Sequence, residues 1–255
     1  MEEVLFSRQA GVGRITINRP EKSNALNRGV IHRLRQLLQQ ATDDNDVRVL
    51  TISGAGEKAF CAGADLNAAF SAQSGEEGFS RSEFRQLLVD VVQCPKPTVT
   101  LVRGHVMGGG LGLVLASDLS LACDDIHFST PEIQVGMFPM MVMGLLYRNV
   151  GRKKATEMMF LGERITARQA EELGIINHAY GRESFEAAAD SLIRKLSRKS
   201  AAILRLGKEA ISGLLDDTLI TEEKYLEAAL AEVMATEDSK EGLLAFIEKR
   251  PPKWN

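Results

Sequence analysis

Residues 98–116, TVTLVRGHVMGGGLGLVLA, decide how this chain is read. The first five are short, apolar and β-branched, as in a buried strand, and Cys94-Pro95-Lys96-Pro97 just before them is a stop signal. Gly108-Gly109-Gly110 then forms a small-residue turn, and residues 111–116 are apolar enough for a buried helix. Glycines at such a point serve one of two ends. They let a ligand approach the backbone where the first free N–H groups of a helix point outward, or they permit a tight turn with close helix–sheet packing. Spacing alone leaves both open.

Outward from this stretch the same alternation recurs. Residues 14–18 and 47–52 read as strands, and between them Val30, Ile31, Leu34, Leu37, Leu38 and Ala41 fall at helical spacing, predicting a helix over 28–42. Strand, helix, strand in repetition argues an α/β fold. Residues 68–82 are small and polar, and read as a surface loop and candidate lid. From about 152 onward the strand signal fades, and 184–198, 200–214, 218–235 and 238–249 look helical. Leu219, Ile220, Leu226, Leu230 and Val233 mark one apolar face, which must bury on the core or on another subunit.

Composition sets the outer bounds. With 255 residues, 44% hydrophobic and 25% charged, the chain can bury a sizeable core and is not globally disordered. A net charge of −3 gives no basic excess to hold nucleic acid. Cys61, Cys94 and Cys123 show no CxxC spacing, which fits reduced thiols in a cytoplasmic protein rather than disulfides or a zinc site. The longest uncharged runs, 104–117 and 133–147, are shorter than about 18 residues and broken by Gly, so no membrane span is expected. The opening Met1-Glu2-Glu3-Val4 lacks a basic, apolar leader.

Gly54-Ala55-Gly56-Glu57-Lys58-Ala59 matches a GxGxxA dinucleotide pattern, but that reading needs a helix to open there and the chain continues into another small-residue turn. More telling, Ala62-Gly63-Ala64 and Gly108-Gly109-Gly110 each follow an expected strand. If they meet, one backbone N–H from each can hold a single oxygen as an oxyanion hole. There is no GxSxG, and His32, His105, His127 and His178 form no pattern; each reads as a satisfied structural histidine. Thr130-Pro131-Glu132 resembles a helix start, with Thr130 as N-cap and Pro131 at the first helical position. Yet Glu132 is the only acid between Asp125 and Glu157, and a lone carboxylate among apolar residues should have a raised pKa, the tuning wanted for proton transfer.

These residues carry a family likeness. Asn18-Arg19-Pro20 with Asn24-Ala25-Leu26-Asn27, Lys58 through Leu66 with its Ala62-Gly63-Ala64-Asp65 core, Lys96-Pro97 leading to Gly104 through Gly110, Ser117-Asp118, Phe128 through Glu132 and Gly136, and Phe246 through Pro251 resemble the crotonase (enoyl-CoA hydratase/isomerase) superfamily from about residue 4 to the end. The likeness implies a ββα spiral core, here residues 1–196, and a C-terminal helical oligomerisation region, 197–255, that builds trimers or hexamers. It implies an acyl-CoA thioester substrate whose carbonyl oxygen is held by Ala64 and Gly109, no separate cofactor, and Glu132 as the acid–base residue. Substrate contacts carry over to Lys22, Ala25, Lys58, Ala62, Ala64, Asp65, Leu66, Asn67, Gly109, Gly112 and Phe138, with Lys249 of a neighbouring subunit as a candidate for the CoA phosphates.

One departure matters. Two-carboxylate hydratases of the family carry a Glu two residues after the glycine triplet and another twenty residues later; here the first position is Gly112 and only Glu132 remains. Met137-Phe138-Pro139-Met140-Met141-Val142-Met143 replaces the usual Gly-rich segment, and predicts an apolar, adaptable rim. The reading is an enoyl-CoA hydratase working with a single Glu, with Δ3,Δ2-enoyl-CoA isomerase as the alternative and a non-catalytic acyl-CoA-binding protein behind both.

Overall fold

The computed structural model describes residues 2–65 and 79–253, and of residues 214–223 the backbone alone. One sheet has the order β1 (Val4–Gln9), β2 (Val12–Ile17), β3 (Val49–Gly54), β5 (Thr98–Val102), β7 (Leu119–Cys123) and β10 (His178–Tyr180). A smaller sheet has the order β4 (Ala59–Cys61), β6 (His105–Met107), β8 (His127–Ser129) and β9 (Ile165–Thr166). Among the described residues only β1–β2 and β8–β9 pair antiparallel. The chain lays down β3 then β4, β5 then β6, β7 then β8, and each pair puts one strand in each sheet before the next helix or turn. That repetition is the expected ββα spiral.

Local sequence explains the elements. All five residues of β5 are buried, Thr98 and Thr100 included, as in a parallel strand covered on both faces. Helix α1 (Arg28–Asp43) is capped by Asn27, whose side chain accepts the Val30 N–H, and the six apolar residues expected on its inner face are all buried. After Gly54 comes β4, not a helix, and a Cβ at Gly54 would overlap the Phe60 carbonyl, so the dinucleotide pattern is a coincidence of tight packing. Helices α2 (Arg81–Gln93) and α3 (Gly109–Ala116) follow β4 and β6. The loop expected at 68–82 lies mostly outside the described residues.

Beyond β8 the order is a 3-10 turn, Pro131–Val135, then α4 (Met140–Asn149), α5 (Arg152–Leu161), α6 (Ala167–Glu172), α7 (Arg182–Ser197), α8 (Ala201–Ala235) and α9 (Glu237–Glu248). The two helices expected at 200–214 and 218–235 are one. No proline falls between them, and a lone Gly213 costs only about 1 kcal/mol in a helix. Helix α8 packs on α4 and α2 and buries Leu226 and Leu230; the side chains of Leu219 and Ile220 lie outside the described set. Among the described residues no helix is long and apolar enough to cross a membrane, and no His/Cys/Asp/Glu group could hold a metal ion. All three cysteines are free and buried.

Lys208 pins α8 to the core. Its buried ammonium donates to Asp118 Oδ2 (2.6 Å) and to the Lys96 carbonyl (3.0 Å), beside the N-terminus of β5. Lys208→Met keeps the stem but removes the charge from a carboxylate that is itself one-third exposed. We expect a loss of about 1–3 kcal/mol in urea unfolding; an unchanged midpoint would mean that apolar contacts alone hold the helix.

Candidate functional site

The two small-residue turns meet. At Gly63 φ is +85°, and a Cβ there would lie 2.9 Å from the Gly109 nitrogen and 3.1 Å from the Met107 carbonyl oxygen. Only glycine combines that backbone with that approach. The first turn is held from behind by a single-residue bridge: the Leu26 N–H donates to the Gly63 carbonyl (2.7 Å) and the Asp65 N–H donates to the Leu26 carbonyl (2.9 Å). In that pattern the Ala64 N–H points away from Leu26. Gly109 opens α3, so its N–H has no helical partner. Among the described residues neither the Ala64 nor the Gly109 N–H donates a hydrogen bond. Two free main-chain donors beside a helix N-terminus form a site for a partial negative charge.

Glu132 closes this arrangement. A Cβ at Gly108, whose φ is +49°, would lie 2.7 Å from Glu132 Oε1, so the carboxylate rests against the residue before Gly109. Its Oε2 is sealed from solvent and has no hydrogen-bond partner among the described residues. Burial pushes the carboxyl up to about 7, opposed by one hydrogen bond from its own backbone N–H. The raised pKa expected of a lone acid is therefore present. The helix-start reading of Thr130-Pro131-Glu132 is corrected: Pro131 does open a 3-10 turn, but Thr130 does not cap it and instead donates its hydroxyl to the Met158 carbonyl (2.8 Å). The turn is backed by α9, whose backbone comes within close reach: a Cβ at Gly136 would lie 2.8 Å from the Asp238 carbonyl oxygen, and one at Gly242 2.7 Å from the Gly136 nitrogen.

Gly112 faces hydrocarbon. A Cβ there would touch Leu88 Cδ2 at 3.2 Å and Phe84 Cζ at 3.4 Å, and the same Phe84 Cζ lies 3.1 Å from a Cβ on Gly109. Both side chains come from α2 and are fully buried. Sequence reasoning missed them; the 84, 87, 88, 91, 92 apolar spacing and the Ser80 cap on Glu83 mark the helix, but nothing in that pattern says which face meets the turns. Arg19, in the sequence simply the centre of Asn18-Arg19-Pro20, has a structural role. Its buried guanidinium pairs with Asp65 (3.1 Å) and Glu3 (2.7 Å) and donates to the Ala25 carbonyl (2.7 Å), tying the 19–25 segment to the 62–65 turn.

The remaining candidates divide. Ala62 donates its N–H to the Ser23 carbonyl (3.1 Å), so the Lys22–Ala25 segment does lie against the first turn; Ala25 is buried, while Lys22 and Lys58 are exposed beside it. Asp65 is engaged by Arg19 within the protein. Leu66 and Asn67 lie outside the described residues. Phe138 is partly buried and meets Phe160 edge-on with ring centroids 5.9 Å apart, and Lys249 is exposed at the C-cap of α9. Burial pushes the Cys61 thiol up to about 12, which removes it as a nucleophile even though it accepts the Gly63 N–H (3.4 Å). The histidines are not all satisfied: the His127 N–H donates to His105 Nδ1 (3.1 Å), but His127 Nδ1 is buried with no partner among the described residues.

With this geometry in place, the likenesses to known proteins are direct. Residues 7–255 match the family model described as enoyl-CoA hydratase/isomerase. YngF of Bacillus subtilis (strain 168), named as an enoyl-CoA hydratase/isomerase, is 32% identical over 98% of this chain and 96% of its own. The mouse protein named enoyl-CoA hydratase domain-containing protein 2, mitochondrial, is 33% identical over 99% of this chain and 87% of its own. Among solved structures, a carnitinyl-CoA hydratase of Mycobacterium avium superposes with a TM-score of 0.89 at 32% identity, covering 100% of this chain and 99% of that one. An enoyl-CoA hydratase of the same species gives 0.88 at 30% identity, covering all of both chains.

Proposed function

We propose, for a chain that belongs to the enoyl-CoA hydratase/isomerase family, that it is an enoyl-CoA hydratase in which Glu132 is the single acid–base residue. The observation that carries this reading is the placement of a carboxylate with a pKa near 7 against Gly108, one residue from a free helix-terminal N–H. The Ala64 and Gly109 N–H groups would donate to the thioester carbonyl oxygen, and they bind it more tightly as it gains enolate charge. Glu132 would take a proton from water as the water oxygen adds to C3, then return a proton to C2. A group half ionised near neutral pH is suited to both halves of that exchange. No cofactor is needed beyond the coenzyme A that the substrate carries.

The wall around Gly112 favours a second reading. A Δ3-to-Δ2 double-bond shift needs one base, to remove a proton from C2 and deliver it to C4, and Phe84 and Leu88 occupy the corner where a second acid would stand. Incubating the protein with a trans-2-enoyl-CoA and, separately, a 3-enoyl-CoA separates the two by product mass. Gain of one water from the 2-enoyl ester establishes the hydratase. A shifted double bond at constant mass makes it the isomerase, and binding without change leaves a non-catalytic acyl-CoA protein.

Residues 197–255 would supply the subunit contacts of a homo-trimer or hexamer. Ile203, Leu206, Ile211, Leu244, Phe246 and Ile247 are exposed on α8 and α9, an apolar load that supports a subunit contact. Lys249 would then reach a neighbour's CoA.

A further inference from the structure

Phe84 occupies the space that a side chain would need at both Gly109 and Gly112. Its Cζ lies 3.1 Å from a Cβ on Gly109 and 3.4 Å from one on Gly112, with Leu88 alongside at 3.2 Å, and the ring is held by Phe79 with centroids 5.5 Å apart. A carbonyl oxygen on the Gly109 N–H brings the attached carbons to within a few bond lengths of Gly109 Cα, and hence beside the ring. We propose that Phe84 is a specificity-determining residue: its ring tip fills the space next to the thioester, so the site selects acyl groups unbranched at the carbons adjoining the carbonyl and excludes those branched there. The inference rests on the reading that a thioester sits on Ala64 and Gly109. The restriction applies to the carbons adjoining the carbonyl and not to the chain end.

The test measures binding, and so stands whichever reaction the enzyme performs. Affinities of butanoyl-CoA and its 2-methyl-branched counterpart are measured by calorimetry for the wild type, Phe84→Ala and Phe84→Leu. A pocket methyl is worth about 10–200-fold in discrimination. We expect the branched-to-straight affinity ratio to rise at least tenfold in Phe84→Ala and by a smaller factor in Phe84→Leu, which keeps most of the core volume and covers the case in which the alanine variant fails to fold. A purely structural role would weaken both esters alike and leave the ratio where it was. An unchanged ratio in a folded variant, with the wild type binding the straight ester, overturns the proposal and leaves the functional reading standing. A wild type that binds neither ester overturns both.

Discussion

Glu132→Gln is expected to lose roughly 10²–10⁴ in turnover, the scale of a general acid–base group, while folding as well as the wild type. The amide has the shape of the acid, and the surroundings of the side chain are sealed, so packing changes little. A pH test distinguishes chemistry from stability. The folded pKa is raised, from 4.5 to about 7, so the protonated form is the one the fold prefers. The stability this group contributes is fully present below about pH 4.5 and is lost as pH rises through about 7, an effect on the order of 3 kcal/mol. Glu132→Gln lacks that loss. Its unfolding free energy, relative to the wild type, should therefore improve between pH 5 and pH 8. Wild-type kcat/KM should rise through about pH 7 as the base form appears. A variant with wild-type turnover would remove Glu132 from the chemistry altogether.

The second large effect is expected at a residue with no side chain. Gly63→Ala places a methyl 2.9 Å from the Gly109 nitrogen, at a φ of +85° that costs an L-residue about 1–2 kcal/mol. Something must shift, and the nearest atoms are the main chain of the other turn. Each oxyanion donor lost is worth about 10²–10³ in kcat, so turnover should fall by at least that factor. Circular dichroism should stay that of the folded protein, because Asp65, two residues on, is still held by the Arg19 guanidinium and by its own N–H on the Leu26 carbonyl. The loss should appear in kcat more than in KM, since the donors act most on the charge that develops in the transition state. Unaltered kcat would show that the carbonyl is held elsewhere.

Much of this was legible in the sequence because it depends on local pattern. The strand at 98–102, the buried helix ending at 116 and the helix over 28–42 correspond to observed elements within one or two residues, while the strand at His105–Met107 between the first two was not expected. The meeting of the two glycine turns, only conditional in the sequence, depends on β4 and β6, two three-residue parallel strands too short for a pattern to show. Other features depend on tertiary contacts that no window of sequence contains. Thr130 looks like a cap, but its hydroxyl is claimed by Met158, 28 residues away. The unbroken α8 runs through residues 215–217, the gap between two expected helices, where no proline or glycine stands to end a helix. Phe84 belongs to the site because α2 happens to turn that face toward Gly109.

The contact between α9 and the turn carrying Glu132 has a consequence in time. Backbone meets backbone there through Gly136 and Gly242, so the floor beneath Glu132 is supplied by residues 237–248. At a synthesis rate of about 5–20 residues per second, that floor leaves the ribosome about 5–20 s after the turn it supports. Until then the sheets, both glycine turns and Glu132 exist without it. A nascent chain halted before residue 237 should already resist protease across its strands, yet be unable to hold the carboxylate in place.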